Sequence, residues 1–155
     1  MARARAELEL ASAGGAVAPI DVVVGDLREA LELLGAVESA ALGVVRVLVV
    51  DDDERLGELT ARGLRRLGFD AEAAARPRES RAGEVVVFDL SVLPDLSNSE
   101  RASLKAVRPI VVTGAVDPAS RAAAADLDAS DYLVKPVDAE ELGAAINRRK
   151  AAESR

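Results

Sequence analysis

Val44-Val45-Arg46-Val47-Leu48-Val49-Val50-Asp51-Asp52-Asp53 is an apolar, β-branched run that ends abruptly in three carboxylates. A second run, Val85-Val86-Val87-Phe88-Asp89, ends in one. Short runs of this kind, bounded by turn residues, predict parallel strands whose two faces are both covered by helices. The carboxyl ends of such strands are where open α/β sheets place their ligands. Laid side by side, the two strands bring Asp51, Asp52 and Asp89 to one edge.

Outward from that pair the chain alternates. Strand 44–50 leads into a helix over 54–67, with Leu56, Leu59, Leu64 and Leu67 as the expected apolar stripe and Gly68 as its C-terminal cap. A weaker strand follows over 69–75. Residues 77–83 leave room for little more than one helical turn before strand 85–89. A loop bearing Pro94 precedes a short helix, Ser97 to Ala106. Pro109 to Thr113 is the fourth strand, and Asp117-Pro118 opens a helix to Leu127 with a capping Asp and a first-turn Pro. Asp131 to Val134 is the fifth strand. Asp138 and Glu141 form a capping-box pair for a last helix over 139–150. Five strands alternating with helices predict an α/β fold, a doubly wound five-stranded parallel sheet with trimmed second and third helices.

Residues 1–43 read differently, and we expect a helical extension there, separate from a domain over 44–155. Ala2 to Ala11 is helix-permissive, Gly14-Gly15 interrupts it, and Pro19 suits a first helical turn. Val22, Val23, Leu27, Leu31 and Leu34 recur at helical spacing, and Asp26 with Glu29 suggests a local capping box, so we expect a helical segment over about 26–37 with a looser helix before it. Such a stripe needs cover from the chain's own body, a second copy or a partner.

The 155 residues suit one domain plus an appendage, and aromatics make up only 2% of them, as Phe69, Phe88 and Tyr132, so the core must be built from Ala, Val and Leu. A net charge of -7, with no basic arm in either part, argues against direct nucleic-acid binding. Arg148-Arg149-Lys150 reads as helix C-terminal charge placement. The absence of Cys and His removes thiol nucleophiles, Ser-His pairs, the usual zinc sites and a phosphohistidine. Without an 18-residue apolar run or a leader peptide, we expect a cytoplasmic protein with no membrane contact.

Asp51-Asp52 after the first strand, Asp89 after the third, Thr113 after the fourth and Lys135-Pro136 after the fifth form an ordered set. It resembles the receiver domain of two-component response regulators, of the CheY-like, flavodoxin-like fold, over roughly Val45 to Lys150. The resemblance implies that Asp89 accepts a phosphoryl group with Thr113 and Lys135 completing the reacting set. It implies Mg2+ held by Asp52, Asp89 and the backbone carbonyl of Ser91, with Asp51 in support. Thr113 and Tyr132 would be the switch pair, and Asp117 to Arg149 the switching surface. Asp53 is expected to be a helix cap. The acids agree with this physically: two like charges about 4 Å apart repel by roughly 4 kcal/mol at an effective dielectric of about 20, and a hard, oxygen-only donor set suits magnesium.

The implied partners are a sensor histidine kinase or phosphotransfer protein and an unknown downstream protein, with homodimer formation left open. Self-phosphorylation and dephosphorylation would be the only chemistry, so no enzyme in the usual sense is expected. The chain departs from the family's pattern around Asp89. Pro94 lies five residues beyond it, where the family usually has proline at four, and Asp95-Leu96-Ser97-Asn98 replaces the usual Asp-Gly. A receiver-like interaction module that works without phosphorylation is therefore the alternative reading.

Overall fold

The computed structural model describes residues 20–41 and 43–155. The chain divides into two compact units between Leu42 and Gly43. In the first, α1 spans Ile20–Ala41. Expectations for residues 2–19 lie outside the described residues. The helix expected over 26–37 is present, but no break separates it from the looser helix expected before it: the helix is already formed at Ile20, so Asp26 and Glu29 sit in its interior. Gly25 costs a helix interior only about 1 kcal/mol, too little to end one that is long enough to propagate.

The second unit is the α/β body. Its elements are β1 (Arg46–Val50), α2 (Glu54–Arg66), β2 (Asp70–Ala74), β3 (Val85–Asp89), a 3-10 helix (Leu90–Asp95), α3 (Asn98–Ala106), β4 (Ile110–Thr113), α4 (Pro118–Asp126), β5 (Asp131–Val134) and α5 (Ala139–Glu153). The strands form one parallel sheet in the order β2-β1-β3-β4-β5. Alternate residues of the strands feed two cores. Val47, Val49, Val85, Val87, Ile110 and Val112 pack with Ala61 and Leu64 of α2 and Leu142, Ala145 and Ile146 of α5. Leu48, Val50, Val86, Phe88 and Val111 pack on the other face with Val92, Leu96, Leu104, Ala124 and Leu127.

The leucine stripe expected on α2 is only partly right. Its buried residues are Gly57, Ala61 and Leu64, whereas Leu59 is 62% exposed and Leu56 and Leu67 also face outward. Small residues let the helix lie close to its neighbours: a methyl group added at Gly63 would stand 2.9 Å from Cβ of Ala139 on α5. The helix closes as expected with Gly68 at φ +93, and Phe69 N–H bonds Leu64 C=O at 3.2 Å while Gly68 N–H bonds Arg65 C=O at 3.1 Å.

Between β2 and β3 the expected helical turn is absent, and residues 75–84 cross as an irregular strap. Ion pairs shape it. Arg78 grips buried Glu84 at 2.8 and 3.0 Å and reaches Glu72 on β2, which also holds Arg81. Arg76 bonds Asp95 C=O at 3.0 Å and Glu100 at 3.1 Å, tying the strap to the loop beyond β3. The extra residue before Pro94 is absorbed by the 3-10 helix, which contains that proline.

A complete capping box stands at Ser97 and Glu100 on α3. At the expected pair, Asp138 accepts from Glu141 N–H at 2.7 Å. Arg149 differs from the expected solvated charge. Its guanidinium is mostly covered and donates to the carbonyls of Val107 and Arg108, beyond the C-terminal end of α3.

Candidate functional site

The strand ends place the site. Asp51 follows the last residue of β1, Asp89 ends β3, Thr113 ends β4 and Lys135 follows β5. Because β1 pairs with β3, β3 with β4 and β4 with β5, all of these converge at the carboxyl edge of the sheet. Lys135 N–H bonds Thr113 C=O at 2.8 Å, which fixes the β5 exit against β4.

Asp51, Asp89 and Lys135 form one ionic cluster. The Lys135 ammonium contacts Asp89 Oδ2 directly and lies 3.4 Å from Asp51 Oδ2. Both carboxylates are buried. For Asp51, burial pushes the pKa up and outweighs the Asp53 N–H and Lys135. For Asp89, burial acts upward too, but the Lys135 ammonium and the Ser91 N–H together hold it below the ordinary carboxylate value. Burial lowers Lys135, yet its two carboxylates win and raise it. The acceptor candidate is thus ionised and shares its charge partner.

Asp52 is exposed, one residue past Asp51, and accepts the hydroxyl of Ser91 on Oδ1 at 2.7 Å. Ser91 N–H in turn donates to Asp89 Oδ1 at 2.9 Å, so Asp89 also starts the 3-10 helix. Asp53 caps α2, accepting from the N–H groups of Arg55 and Leu56 at 3.0 and 3.2 Å. Thr113 is buried and its Oγ1 accepts Ala115 N–H at 3.1 Å, while Tyr132 OH donates to Ala115 C=O at 2.9 Å. The structure therefore gathers Asp51, Asp89 and Lys135 directly, joins Asp52 through Ser91, and joins Tyr132 to Thr113 through Ala115.

Two features were missed from sequence: the Ser91 side chain as a bridge, and Ala115 as the residue both switch candidates hold. Position alone signalled each, two residues beyond Asp89 and two beyond Thr113. A cavity of about 380 Å³ opens beside the cluster, lined by Val49, Val87, Val112, Leu142, Leu56 and Val137. Among the described residues no three carboxylates lie close enough to enclose a metal by themselves.

No family model matches the chain. The sensory transduction protein RegX3 of Mycobacterium tuberculosis is 34% identical over 110 residues, which are 64% of this chain and 48% of that protein. The chain thus spans about half the length of the curated relatives it matches first. Among solved structures, a response regulator receiver domain from Clostridium thermocellum superposes with a TM-score of 0.60 at 25% identity, covering 72% of this chain and 98% of that one. A response regulator from Burkholderia pseudomallei, solved with a phosphorylated aspartic acid and a calcium ion, gives 0.55 at 25% identity over 70% of this chain and 72% of that one. In sequence and in fold, the unit from Gly43 to Arg155 is similar to the receiver domains of two-component response regulators.

Proposed function

We propose that residues 44–155 act as a phosphoryl-accepting switch on Asp89, with residues 1–43 as a separate extension. The observation that carries this is the ionised, buried Asp89 carboxylate in contact with Lys135 and facing Asp51 across the sheet edge. In transfer from a histidine kinase or phosphotransfer protein, the donor's N–P bond breaks, its imidazole keeps the electron pair, and a carboxylate oxygen of Asp89 forms the new O–P bond. Lys135 neutralises charge on the moving group. Thr113 offers its hydroxyl to a phosphoryl oxygen, giving up the Ala115 N–H and releasing the residue to which Tyr132 is bound.

A divalent metal fits this donor set in kind. The residues offer only hard oxygens, and two buried carboxylates, Asp51 and Asp89, share the single ammonium of Lys135. Asp52, Asp89 and the Ser91 carbonyl would hold Mg2+ with Asp51 in support, and water would complete the shell. When bound, the metal supplies charge neutralisation for the transferring phosphoryl group. The calcium and phosphorylated aspartate of the Burkholderia relative support this reading.

The output belongs to protein contacts made by 117–149, with an unidentified downstream protein or a second copy as partner. The net charge of -7 supports a role without direct nucleic-acid binding. A cytoplasmic setting is part of the proposal. Among the described residues no helix is long and apolar enough to cross a membrane.

Incubation with acetyl phosphate and magnesium should add one phosphoryl group to the wild type and none to Asp89→Asn, read by intact mass. The strap at 75–84 and the 3-10 helix after Asp89 favour the second reading, an interaction module independent of phosphorylation. Magnesium binding without any mass gain would select that reading and refute the first.

A further inference from the structure

We propose that the hydroxyl of Ser91 is a positioning group that holds Asp52 ready for a divalent cation, an inference that rests on the metal-dependent reading above. Ser91 is bound at two points. Its N–H is fixed on Asp89 Oδ1 at 2.9 Å, and its Oγ donates to Asp52 Oδ1 at 2.7 Å. The first bond anchors Ser91 to the acceptor at the end of β3, so the second anchors Asp52, at the end of β1, to the same frame. Asp52 is exposed, and a solvated carboxylate without such a bond samples several rotamers.

The chemistry of the bridging group matters. The ammonium of Lys135 serves Asp51 and Asp89, and an ammonium on Asp52 as well would compete with a cation for its charge. A hydroxyl is neutral, so it orients the carboxylate without cancelling it. A carboxylate has about four lone-pair directions, and one bond to Ser91 leaves the others for a metal. The 3-10 helix that begins at Leu90 sets the direction of the Ser91 side chain. The 3-10 helix after Asp89 thus becomes the element that positions a ligand carried by the loop after β1.

The test is calorimetric titration of magnesium chloride into the full chain, for wild type, Ser91→Ala and Ser91→Thr, with thermal unfolding in a chelator as the check on folding. Loss of an outer hydrogen bond to a metal ligand weakens affinity by about 10-fold or more, so Ser91→Ala should bind magnesium about 10-fold more weakly, with Thr close to wild type and unfolding in chelator still one cooperative transition, lowered by no more than one lost hydrogen bond accounts for. Wild-type affinity in Ser91→Ala overturns the proposal. Equal weakening in both variants also overturns it, because the hydroxyl would then not be what matters. A wild type that binds no magnesium removes the metal-dependent reading and the proposal together, which separates that failure from the other two.

Discussion

Tyr132 and Ala115 are joined by a 2.9 Å hydrogen bond from the phenol to the backbone carbonyl, and the N–H of the same Ala115 is held by Thr113 at 3.1 Å. One loop residue is thus pinned from β5 on one side and from β4 on the other. Tyr132→Phe and Thr113→Val should each cost about 1 kcal/mol in urea unfolding, the net worth of a hydrogen bond. Because both bonds restrain one residue, the double variant should depart from the sum by about 0.5 kcal/mol or more. Strict additivity would show that Ala115 does not couple them.

Among the described residues, Lys135 is the cation in contact with both Asp51 and Asp89. Replacing it with Met should lower stability at neutral pH by about 1–3 kcal/mol, less than for a fully buried pair because the lysine is partly solvated. The contribution of Asp89 to the pH dependence should change sign. In the wild type, the depressed Asp89 contributes stability above its unfolded pKa, near 3.8, and loses it as pH falls through the lower folded value. Without Lys135, burial raises Asp89 as it already raises Asp51, so the variant should gain stability relative to wild type as pH falls from neutrality. Chemical denaturation between pH 7 and pH 4 reads this directly.

Arg149 sits on α5 but serves α3. Its guanidinium donates to the Val107 and Arg108 carbonyls and to Ser130 Oγ, the last at 3.1 Å, and its side chain is only 12% exposed. Arg108 itself has φ 49, a conformation costly for a side-chain residue, and this clamp helps hold it. Arg149→Ala should cost about 1–3 kcal/mol in denaturant, whereas Arg148→Ala, an exposed ion pair to Asp131, should cost well under 1 kcal/mol. Equal losses would refute the clamp.

The Ser97 cap gives a second pH signature. Backbone and hydroxyl donors at Ser97, helped by Arg76, hold the Glu100 carboxyl down at about 2 against an ordinary 4.5. Its contribution is therefore complete above about pH 4.5 and disappears as pH falls toward 2. Glu100→Gln should flatten the acid limb of the stability curve over that interval, and Ser97→Ala should both flatten it and lower stability at neutral pH. An unchanged acid limb in Glu100→Gln would contradict this.

What the amino acids revealed tracks the range of the interactions involved. β1, β3, β4 and β5 were legible because buried parallel strands are written as short β-branched runs, and the convergence of Asp51, Asp89, Thr113 and Lys135 on one sheet edge was legible because they occupy the ends of those runs. Local caps at Asp53, Gly68 and Asp117 could be read for the same reason, as each bonds within a few residues. The strap at 75–84 could not: Arg78 and Arg81 look like ordinary charged loop residues until Glu72 and Glu84 are beside them. Nor could the packing of α2, where Gly57, Ala61 and Leu64 form the buried face and Leu59 lies on the exposed one. The Ser91 bridge to Asp52 spans 39 residues and exists only once β1 and β3 are adjacent.

The scarcity of aromatic side chains, which made the core aliphatic, has a spectroscopic consequence. The chain contains one tyrosine and no tryptophan. Ultraviolet emission excited at wavelengths that the two phenylalanines do not absorb therefore comes from a single phenol, and that phenol is bonded to the loop beside Thr113. Any event that frees or captures Ala115 changes the surroundings of the Tyr132 phenol, so the chain carries its own optical gauge.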